Sequence, residues 1–350
     1  MRAVSFLFLC SMAWFYLPHP AEVYADIHAY VTNSSDRTVS VIRTSDNKVI
    51  DTINVGNGPR GVSVTSNGDY VYVTNTPDDI VSVIRTSDNT VIDTVPVGDQ
   101  PYGVAVTLDG DHVYVANRGD DTVSVMRTSD NTVINAVPVG DEPYGVAVTT
   151  NGELVYVTNF AIADSTVSVI RTSDNTVIDT VPVGQAPRGV AVSPNGDRVY
   201  VTDTLGDTVS VIRTSDDTVI DTVPVGNEPW GVAVTPNGGH VYVANFGDDT
   251  VSVMRTSDNT VIDTVPVGYA PRGVAVTPTG DHVYVVNIGD DNVSVIRTSD
   301  NTVVAIIGVG DGPIGFGIFI MTGSTSSDDN GSGNGGCFID TTAYGFRRTK

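Results

Sequence analysis

Residues 101–142 read PYGVAVTLDGDHVYVANRGDDTVSVMRTSDNTVINAVPVGDE, and close copies of this 42-residue unit fill most of the 350-residue chain. Two motifs mark the copies. Tyr-Val-x-Asn occurs seven times, once with Asp203 in the last place, at Tyr30, Tyr72, Tyr114, Tyr156, Tyr200, Tyr242 and Tyr284. Arg-Thr-Ser-Asp also occurs seven times, beginning at Arg43, Arg85, Arg127, Arg171, Arg213, Arg255 and Arg297. A fixed period of this length predicts a repeat architecture.

Each unit contains four short segments in which valine alternates with smaller or polar residues. In the quoted copy they are residues 103–107, 113–117, 122–127 and 132–139. Alternation with a period of two predicts β-strands, and the runs of Gly, Asp and Asn between them predict tight turns. Four strands in about 42 residues are typical of one blade of a β-propeller.

The order of the strands follows from the prolines and the chain ends. Prolines such as Pro138 and Pro224 fall inside the fourth segment, which indicates an outer edge strand because proline donates no backbone hydrogen bond. The repeats start with a second strand, residues 28–33, and finish with a lone first-strand segment, residues 315–321. We therefore expect an all-β, seven-bladed β-propeller with four antiparallel strands per blade. A C-terminal inner strand closes the ring by pairing with N-terminal strands.

These motifs give the chain a family resemblance. The seven Tyr-Val-x-Asn copies, at a nearly constant spacing over residues 26–322, resemble the YVTN-type β-propeller repeat proteins. The resemblance implies a seven-bladed propeller and a place outside the cytoplasm of a bacterium or archaeon. It implies no single function, because such proteins include surface proteins, a DNA-binding periplasmic protein and propellers grouped near lactonases.

The segments that flank the repeats suggest export. Residues 1–25 combine Arg2, an apolar run of about 15 residues and a small residue at Ala25, which predicts a cleaved signal peptide. We expect a periplasmic, extracellular or cell-surface location in a prokaryote.

Residues 323–336 are a Gly/Ser/Asn/Asp linker, and residues 337–350 resemble a Cys-Phe-Ile box with Asp340 and Thr342 departing from its usual form. Cys337 is a candidate for covalent or disulfide attachment, and an inert thiol is the alternative.

Charge limits the partners. The chain has 41 acidic and 18 basic residues, a formal net charge of −23. Because such a charge repels phosphate backbones, we expect no nucleic-acid partner. No segment after the signal is apolar enough to cross a membrane, so we expect no transmembrane segment in the mature chain.

The differences between repeats indicate where a ligand could bind. The loops before the first strand and after the second strand should share one face, around the mouth of the central channel. Arginine and aromatic residues are frequent in binding hot spots, and arginine binds carboxylates through two parallel hydrogen bonds. The candidate ligand-binding residues on this face are Arg60, Tyr102, Tyr144, Arg188, Trp230, Arg272, Arg118, Phe160, Phe246 and Tyr269. The alternative is that these positions drift or cap the inner strands.

Two further patterns invite a metal. His28, His112, His240 and His282 share one repeat position, but neighbouring blades separate them by roughly 9 Å when strands lie about 4.8 Å apart. Zinc ligands must lie much closer together, so we expect no histidine metal site. Paired aspartates such as Asp120-Asp121 could attract calcium, yet no EF-hand spacing is present and turn chemistry explains them. We expect no cofactor and no metal.

The function expected from the sequence is an exported binding or interaction module with a protein or glycan partner. The sequence contains no nucleophile elbow, no metalloprotease motif and no phosphate-binding glycine loop, so we expect no enzyme activity. Two alternatives stay open: a lactonase-like hydrolase, using carboxylates such as Glu142 and Glu228, and a periplasmic nucleic-acid-binding propeller.

Overall fold

The computed structural model describes residues 27–315, 317 and 319–322. The predicted signal peptide, the linker, and the Cys-Phe-Ile tail with Cys337 lie outside these residues. The described chain forms seven four-stranded antiparallel sheets arranged as the blades of a propeller, which confirms the predicted fold class. No helix in this part of the chain is long and apolar enough to span a membrane.

The described residues contain 28 strands and one short 3-10 helix, Thr76–Asp78. Blades 1 and 2 contribute Ile27–Asn33 (β1), Thr38–Arg43 (β2), Lys48–Asn54 (β3), Pro59–Val64 (β4), Tyr70–Asn75 (β5), Ile80–Arg85 (β6) and Thr90–Pro96 (β7). Blades 3 and 4 contribute Pro101–Val106 (β8), His112–Asn117 (β9), Thr122–Arg127 (β10), Thr132–Pro138 (β11), Pro143–Val148 (β12), Leu154–Asn159 (β13), Thr166–Arg171 (β14) and Thr176–Pro182 (β15). Blades 5 and 6 contribute Pro187–Val192 (β16), Arg198–Asp203 (β17), Thr208–Arg213 (β18), Thr218–Pro224 (β19), Pro229–Val234 (β20), His240–Asn245 (β21), Thr250–Arg255 (β22) and Thr260–Pro266 (β23). Blade 7 contributes Pro271–Val276 (β24), His282–Asn287 (β25), Asn292–Arg297 (β26) and Thr302–Gly308 (β27), and Ile320–Thr322 (β28) returns to blade 1.

The ring closes at blade 1, whose strand order is β28-β1-β2-β3. Strand β28 pairs with β1 in antiparallel register, so the two ends of the repeat region share one sheet, as the sequence predicts. The predicted closing segment, residues 315–321, is wrong in its bounds. Gly315 and Gly317 have φ angles of 54° and 123°, which break the strand, and regular pairing resumes only at Ile320.

The hydrophobic core lies between neighbouring blades. Valines of β10 in blade 3 pack with valines of β13 in blade 4, and equivalent clusters recur around the ring. The motif tyrosine is buried in each blade, and its hydroxyl group can reach the next blade. Tyr114, for example, donates to Asn175 Oδ1 at 2.8 Å. A buried tyrosine hydroxyl usually has a hydrogen-bond partner, and for Tyr114, Tyr156, Tyr242 and Tyr284 that partner lies in a turn of the next blade, so these four tyrosines link adjacent blades.

The motif threonine forms a second link, close to the axis. Thr158 Oγ1 accepts a hydrogen bond from the Gly145 backbone N–H at 2.8 Å and donates to the Arg188 carbonyl of the next blade at 2.8 Å. Thr32, Thr74 and Thr202 form the same pair of bonds, whereas Ala116, Ala244 and Val286 stand at this position in the other three blades. In the four blades that have it, the threonine therefore fixes the start of the inner strand in the next blade.

The last motif residue organises the interior of its own blade. Buried Asn117 donates from Nδ2 to Thr122 Oγ1 at 3.0 Å and to Ser124 Oγ at 2.9 Å. Blade 5 has Asp203 instead, and there both hydroxyls reverse direction and donate to the carboxylate. Burial raises the pKa of Asp203 to about 6, more than the hydroxyl hydrogen bonds lower it.

We expect Thr158→Val to destabilise the fold by about 1–3 kcal/mol. The change leaves one buried N–H and one buried carbonyl without their hydroxyl partner, which is the costly way to lose a hydrogen bond. Chemical denaturation measures the difference. Thr158→Ser keeps the hydroxyl and is the matched control; equal losses in the two variants would contradict the role of the oxygen.

We expect Asp203→Asn to stabilise the fold above pH 6 and to lose this advantage in acid. The folded-state pKa lies above the ordinary value of 3.8, so the native state favours the protonated carboxyl. The free energy of unfolding therefore falls as pH rises through 6 and the buried carboxyl becomes charged. The gain at pH 8 should be roughly 3 kcal/mol at most, by 1.36 kcal/mol per pH unit. Urea unfolding at pH 8 and pH 4.5 tests it. The reverse change, Asn117→Asp, should show the opposite pH dependence, and a pH-independent difference in either variant would be inconsistent.

Candidate functional site

The residue that precedes each inner-strand glycine lies nearest the axis on one face of the propeller, which we call the upper face. The chain reaches this face in the loops before the inner strands and in the loops that follow the second strands. Hydrogen bonds join the two sets of loops, as from Arg118 N to the Gln100 carbonyl at 3.0 Å. The predicted shared face therefore exists, and the threonine bonds hold the carbonyls of Arg60, Tyr102, Arg188 and Trp230 in place upon it.

Most of the candidate residues join into one stack of alternating cations and rings, here called the cation–π ladder. Its members are Arg60, Tyr102, Arg118, Phe160, Arg188, Trp230, Arg272 and Phe246. The closest contacts surround Trp230, where the guanidinium carbons of Arg188 and Arg272 lie 3.7 and 4.2 Å from the ring centre. Arg188 is also 4.6 Å from the Phe160 ring centre. Contacts of this kind contribute from about 0.5 to 2 kcal/mol each, more when water is excluded.

The aromatic rings fill the upper end of the channel. The Tyr144 and Trp230 rings meet edge to face with centres 6.2 Å apart, and the two residues are only 6% and 8% exposed. Ile314 is buried with them, and Phe246 stacks on Trp230 at 5.2 Å. The sequence predicts these residues around the mouth of the channel, and the structure packs Tyr144, Trp230 and Ile314 together there in a cluster that, with the arginines stacked against it, we call the plug.

The arginines of the plug differ from the eight described arginines that pair with a carboxylate. Those eight are Arg43, Arg85, Arg118, Arg127, Arg171, Arg213, Arg255 and Arg297. Arg37 and Arg198, outside the plug, form no ion pair among the described residues, and Arg198 donates instead to the Thr256 carbonyl at 2.6 Å. Arg60, Arg188 and Arg272 also have no carboxylate within 4 Å among the described residues, and their buried Nε atoms donate to no described atom. Trp230 Nε1 is likewise buried and donates to no described atom. The plug therefore contains four buried donor atoms that have no hydrogen-bond partner among the described residues.

The electrostatics of the plug disfavour these positive charges. Burial lowers the pKa of Arg188 to about 10, and the nearby positive charge of Arg272 adds to the effect. Burial likewise lowers the pKa of Arg272, with Arg60 as a like-charged neighbour. A bound anion would relieve both the desolvation and the repulsion.

Two candidates stand apart from the plug arginines. Arg118 belongs to the ladder, but its guanidinium also binds Glu142, with Nε 3.1 Å from Oε2. Tyr269 is 62% exposed and lies against Gly289 at the rim, where its backbone N–H donates to Asp290 Oδ2 at 2.8 Å.

The paired aspartates have partners within the loops. Asp120 Oδ2 accepts the Asp99 N–H at 2.7 Å, and Asp121 Oδ1 accepts the Glu142 N–H at 2.8 Å. Asp121 also has a left-handed backbone with φ of 54°, as a turn residue does. Each pair thus ties two neighbouring loops. Among residues 27–315, 317 and 319–322, no three His, Cys, Asp or Glu side chains converge as metal ligands.

Below the plug the channel is open and apolar, which the sequence analysis did not predict. A cavity of about 310 Å³ runs along the inner strands of blades 3 to 7. It extends from the inner-strand glycines, such as Gly103 and Gly189, to the loops on the opposite face, which we call the lower face. Valine and alanine line it, together with Leu108, Pro236 and Gly317. The signal was present in the repeated Gly-Val-Ala-Val segment, whose alternate residues had to face the axis.

Comparison with known proteins identifies the scaffold. Residues 47–177 and 175–304 each match the family model described as "Lactonase, 7-bladed beta-propeller". No curated protein matches the chain significantly.

Two solved structures show how general the fold is. A hydrazine synthase structure from Kuenenia stuttgartiensis has a TM-score of 0.72 and 22% identity, covering 77% of this chain and 92% of that one. A protein of unknown function from Desulfotomaculum acetoxidans DSM 771 has a TM-score of 0.75 and 18% identity, covering 85% and 99%. At these identities the likeness extends to the fold alone.

Proposed function

The chain belongs to the lactonase-type seven-bladed β-propeller family, and on this scaffold we propose that it is an exported binding module that holds an anionic ligand at the cation–π ladder. The observation that carries the proposal is that Arg60, Arg188 and Arg272 combine a buried Nε that has no described hydrogen-bond partner with the absence of any described ion pair, in a chain of net charge −23. A protein with 41 acidic residues has ample carboxylates to pair with these three arginines. An external anion is the natural partner for donors left free in this way.

The geometry of the ladder selects the kind of anion. Aromatic rings cover the flat faces of Arg188, with Phe160 and Trp230 at 4.6 and 3.7 Å. A guanidinium covered in this way can bind only through the N–H groups in its plane. Such an edge matches the two oxygens of a carboxylate or sulfate, and the planar fork is already oriented by stacking. The ligand class favoured is a carboxylate- or sulfate-bearing group of a protein or glycan.

The surface around the site adds selectivity. The acidic chain repels polyanions at a distance, so a ligand must gain enough at the three arginines to overcome that repulsion. A short acidic segment meets this condition more easily than a long phosphate backbone does. The apolar leader at residues 1–25 supports export, which would place the binding face outside the cytoplasm.

We expect citrate and sulfate to raise the melting temperature of the full chain, and Arg188→Gln to abolish most of that increase. At 100 times its dissociation constant, a ligand that binds only the native state adds about 2.7 kcal/mol. Thermal unfolding at constant ionic strength, balanced with sodium chloride, separates specific binding from screening. Arg255→Gln is the control, because Arg255 forms an exposed pair with Asp258 away from the axis. Equal stabilisation of all three proteins would contradict the proposal.

The macromolecular source of the anion can be distinguished in the same assay. A glutamate-rich peptide and a uronate oligosaccharide present the same carboxylate on different backbones. The one that binds through Arg188 and Arg272 names the partner class. If single-stranded DNA bound with the same dependence, the nucleic-acid alternative would replace the proposal.

A lactonase-like hydrolase is the second candidate, and the family match favours it. Ester hydrolysis needs a base beside a group that stabilises an oxyanion. Glu228 could supply the base, because its carboxylate acts electrostatically on Arg188 and forms no ion pair within 4 Å among the described residues. Binding alone needs no such base, so the two functions can be separated experimentally.

We expect no hydrolysis when γ- and δ-lactones are incubated with the full chain in a pH-stat, because the described residues show no nucleophile–base pair at the plug. Turnover that disappears in Glu228→Gln and persists in Glu153→Gln, a change on a lower-face loop, would establish the hydrolase instead.

A further inference from the structure

The lower half of the channel is a second feature with unused binding capacity. Its cavity of about 310 Å³ is lined by Val, Ala and Gly of five inner strands and has no charged residue among its described lining residues. Pockets of about this size hold small ligands or side chains. Apolar surface gains free energy when an apolar group covers it.

The mouth of the cavity lies on the lower face. The inner strands run from the upper to the lower face, so the loops that follow them surround this opening. Leu108, which is 52% exposed, and Pro236 stand there, and Thr150 lines the same end. The opening is therefore apolar at its rim as well as inside.

The chain leaves the propeller at this same opening. Strand β28 is the inner strand of blade 1, and Thr322 pairs with Ile27 at its lower end. Gly317, five residues earlier, is itself part of the cavity wall. The described chain therefore reaches Thr322 beside the channel mouth, and 28 residues follow Thr322 in the sequence.

The sequence of that segment fits the cavity. Fifteen residues, 323–337, separate β28 from Phe338 and Ile339, which are the first large apolar residues after the strand. A Gly/Ser-rich chain of this length has an r.m.s. end-to-end distance of about 20 Å. The two side chains together hold about 11 carbon atoms, close to the room that the cavity offers.

We propose that the Phe338–Ile339 segment docks into the lower mouth of the channel of its own propeller. The short tether gives the segment an effective concentration on the order of millimolar, so a weak apolar contact is enough for docking. Docking covers the exposed apolar rim and places Cys337 at the lower face beside the axis. This inference does not depend on the anion-binding function.

Cysteine trapping tests the proposal in the full chain. In a Cys10→Ser background, Thr150→Cys puts a second thiol at the cavity mouth, and Ser173→Cys puts one on an exposed turn of the same blade and face, at the outer edge. Under oxidised glutathione, the Thr150→Cys protein should form an intramolecular disulfide with Cys337 at least ten times faster than the Ser173→Cys protein. Migration on a non-reducing gel, with mass spectrometry of the linked peptides, identifies the product.

A tail variant separates docking from chance collision. Adding Phe338→Ser and Ile339→Ser to the Thr150→Cys protein should slow the reaction to the rate of the Ser173→Cys protein. Equal rates of disulfide formation in the Thr150→Cys and Ser173→Cys proteins would overturn the proposal. A rate that the serine substitutions leave unchanged would also overturn it. Disulfide-linked dimers in place of the intramolecular product would show that the segment occupies the channel of a second copy.

Discussion

The close approach of neighbouring inner strands at the axis is the constraint on which the rest of the structure depends. A side chain on Gly103 or Gly145 would overlap the carbonyl of the next blade, so only glycine allows the strands to meet there. The blades can converge on a narrow axis because these positions lack Cβ atoms. The residue before each glycine is consequently forced into the crowded centre, and that position carries the arginines and aromatic residues of the plug.

The same constraint explains the roles within the Tyr-Val-x-Asn motif. The tyrosine hydroxyl links blades near the rim, and the threonine links them near the axis, where it holds the carbonyl of a plug residue. The asparagine donates to two hydroxyls inside its own blade. It also packs against a loop glycine, such as Gly98, where the Cβ of any other residue would collide with the asparagine. Among the described residues, every interface between neighbouring blades has at least one of these two links, tyrosine or threonine, and the interface between blades 4 and 5 has both. The site inherits its rigidity from the motif.

The sequence predicts those features that repeat. Blade number, strand order, the outer prolines and the closure by both ends of the repeat region follow from period and pattern, because each blade must satisfy the same pairing. The candidate residues were also placed on the correct face. The pattern does not predict how the side chains pack at the axis. The rings of Tyr144 and Trp230 fill the channel because the glycines bring the inner strands together. The sequence of a single repeat does not show how many side chains meet there. The break at Gly315 and Gly317 was missed for a related reason, since that segment has no copy for comparison.

A ring of similar blades tends toward symmetry, and binding requires that symmetry to be broken. The plug breaks it with three arginines that form no ion pair among the described residues and are separated by rings. The loop at residues 160–165, two residues longer than its counterparts, breaks the symmetry further beside Arg188. The lower part of the channel has an apolar lining from the inner strands of blades 3 to 7, which suits a contact made by shape and area without directional bonds. The two ends of one channel therefore have opposite chemistry: charged and directional above, apolar and tolerant below. Charge makes the upper end sensitive to salt, whereas burial of apolar surface at the lower end is largely insensitive to it. Ionic strength thus acts mainly on the upper end of the channel.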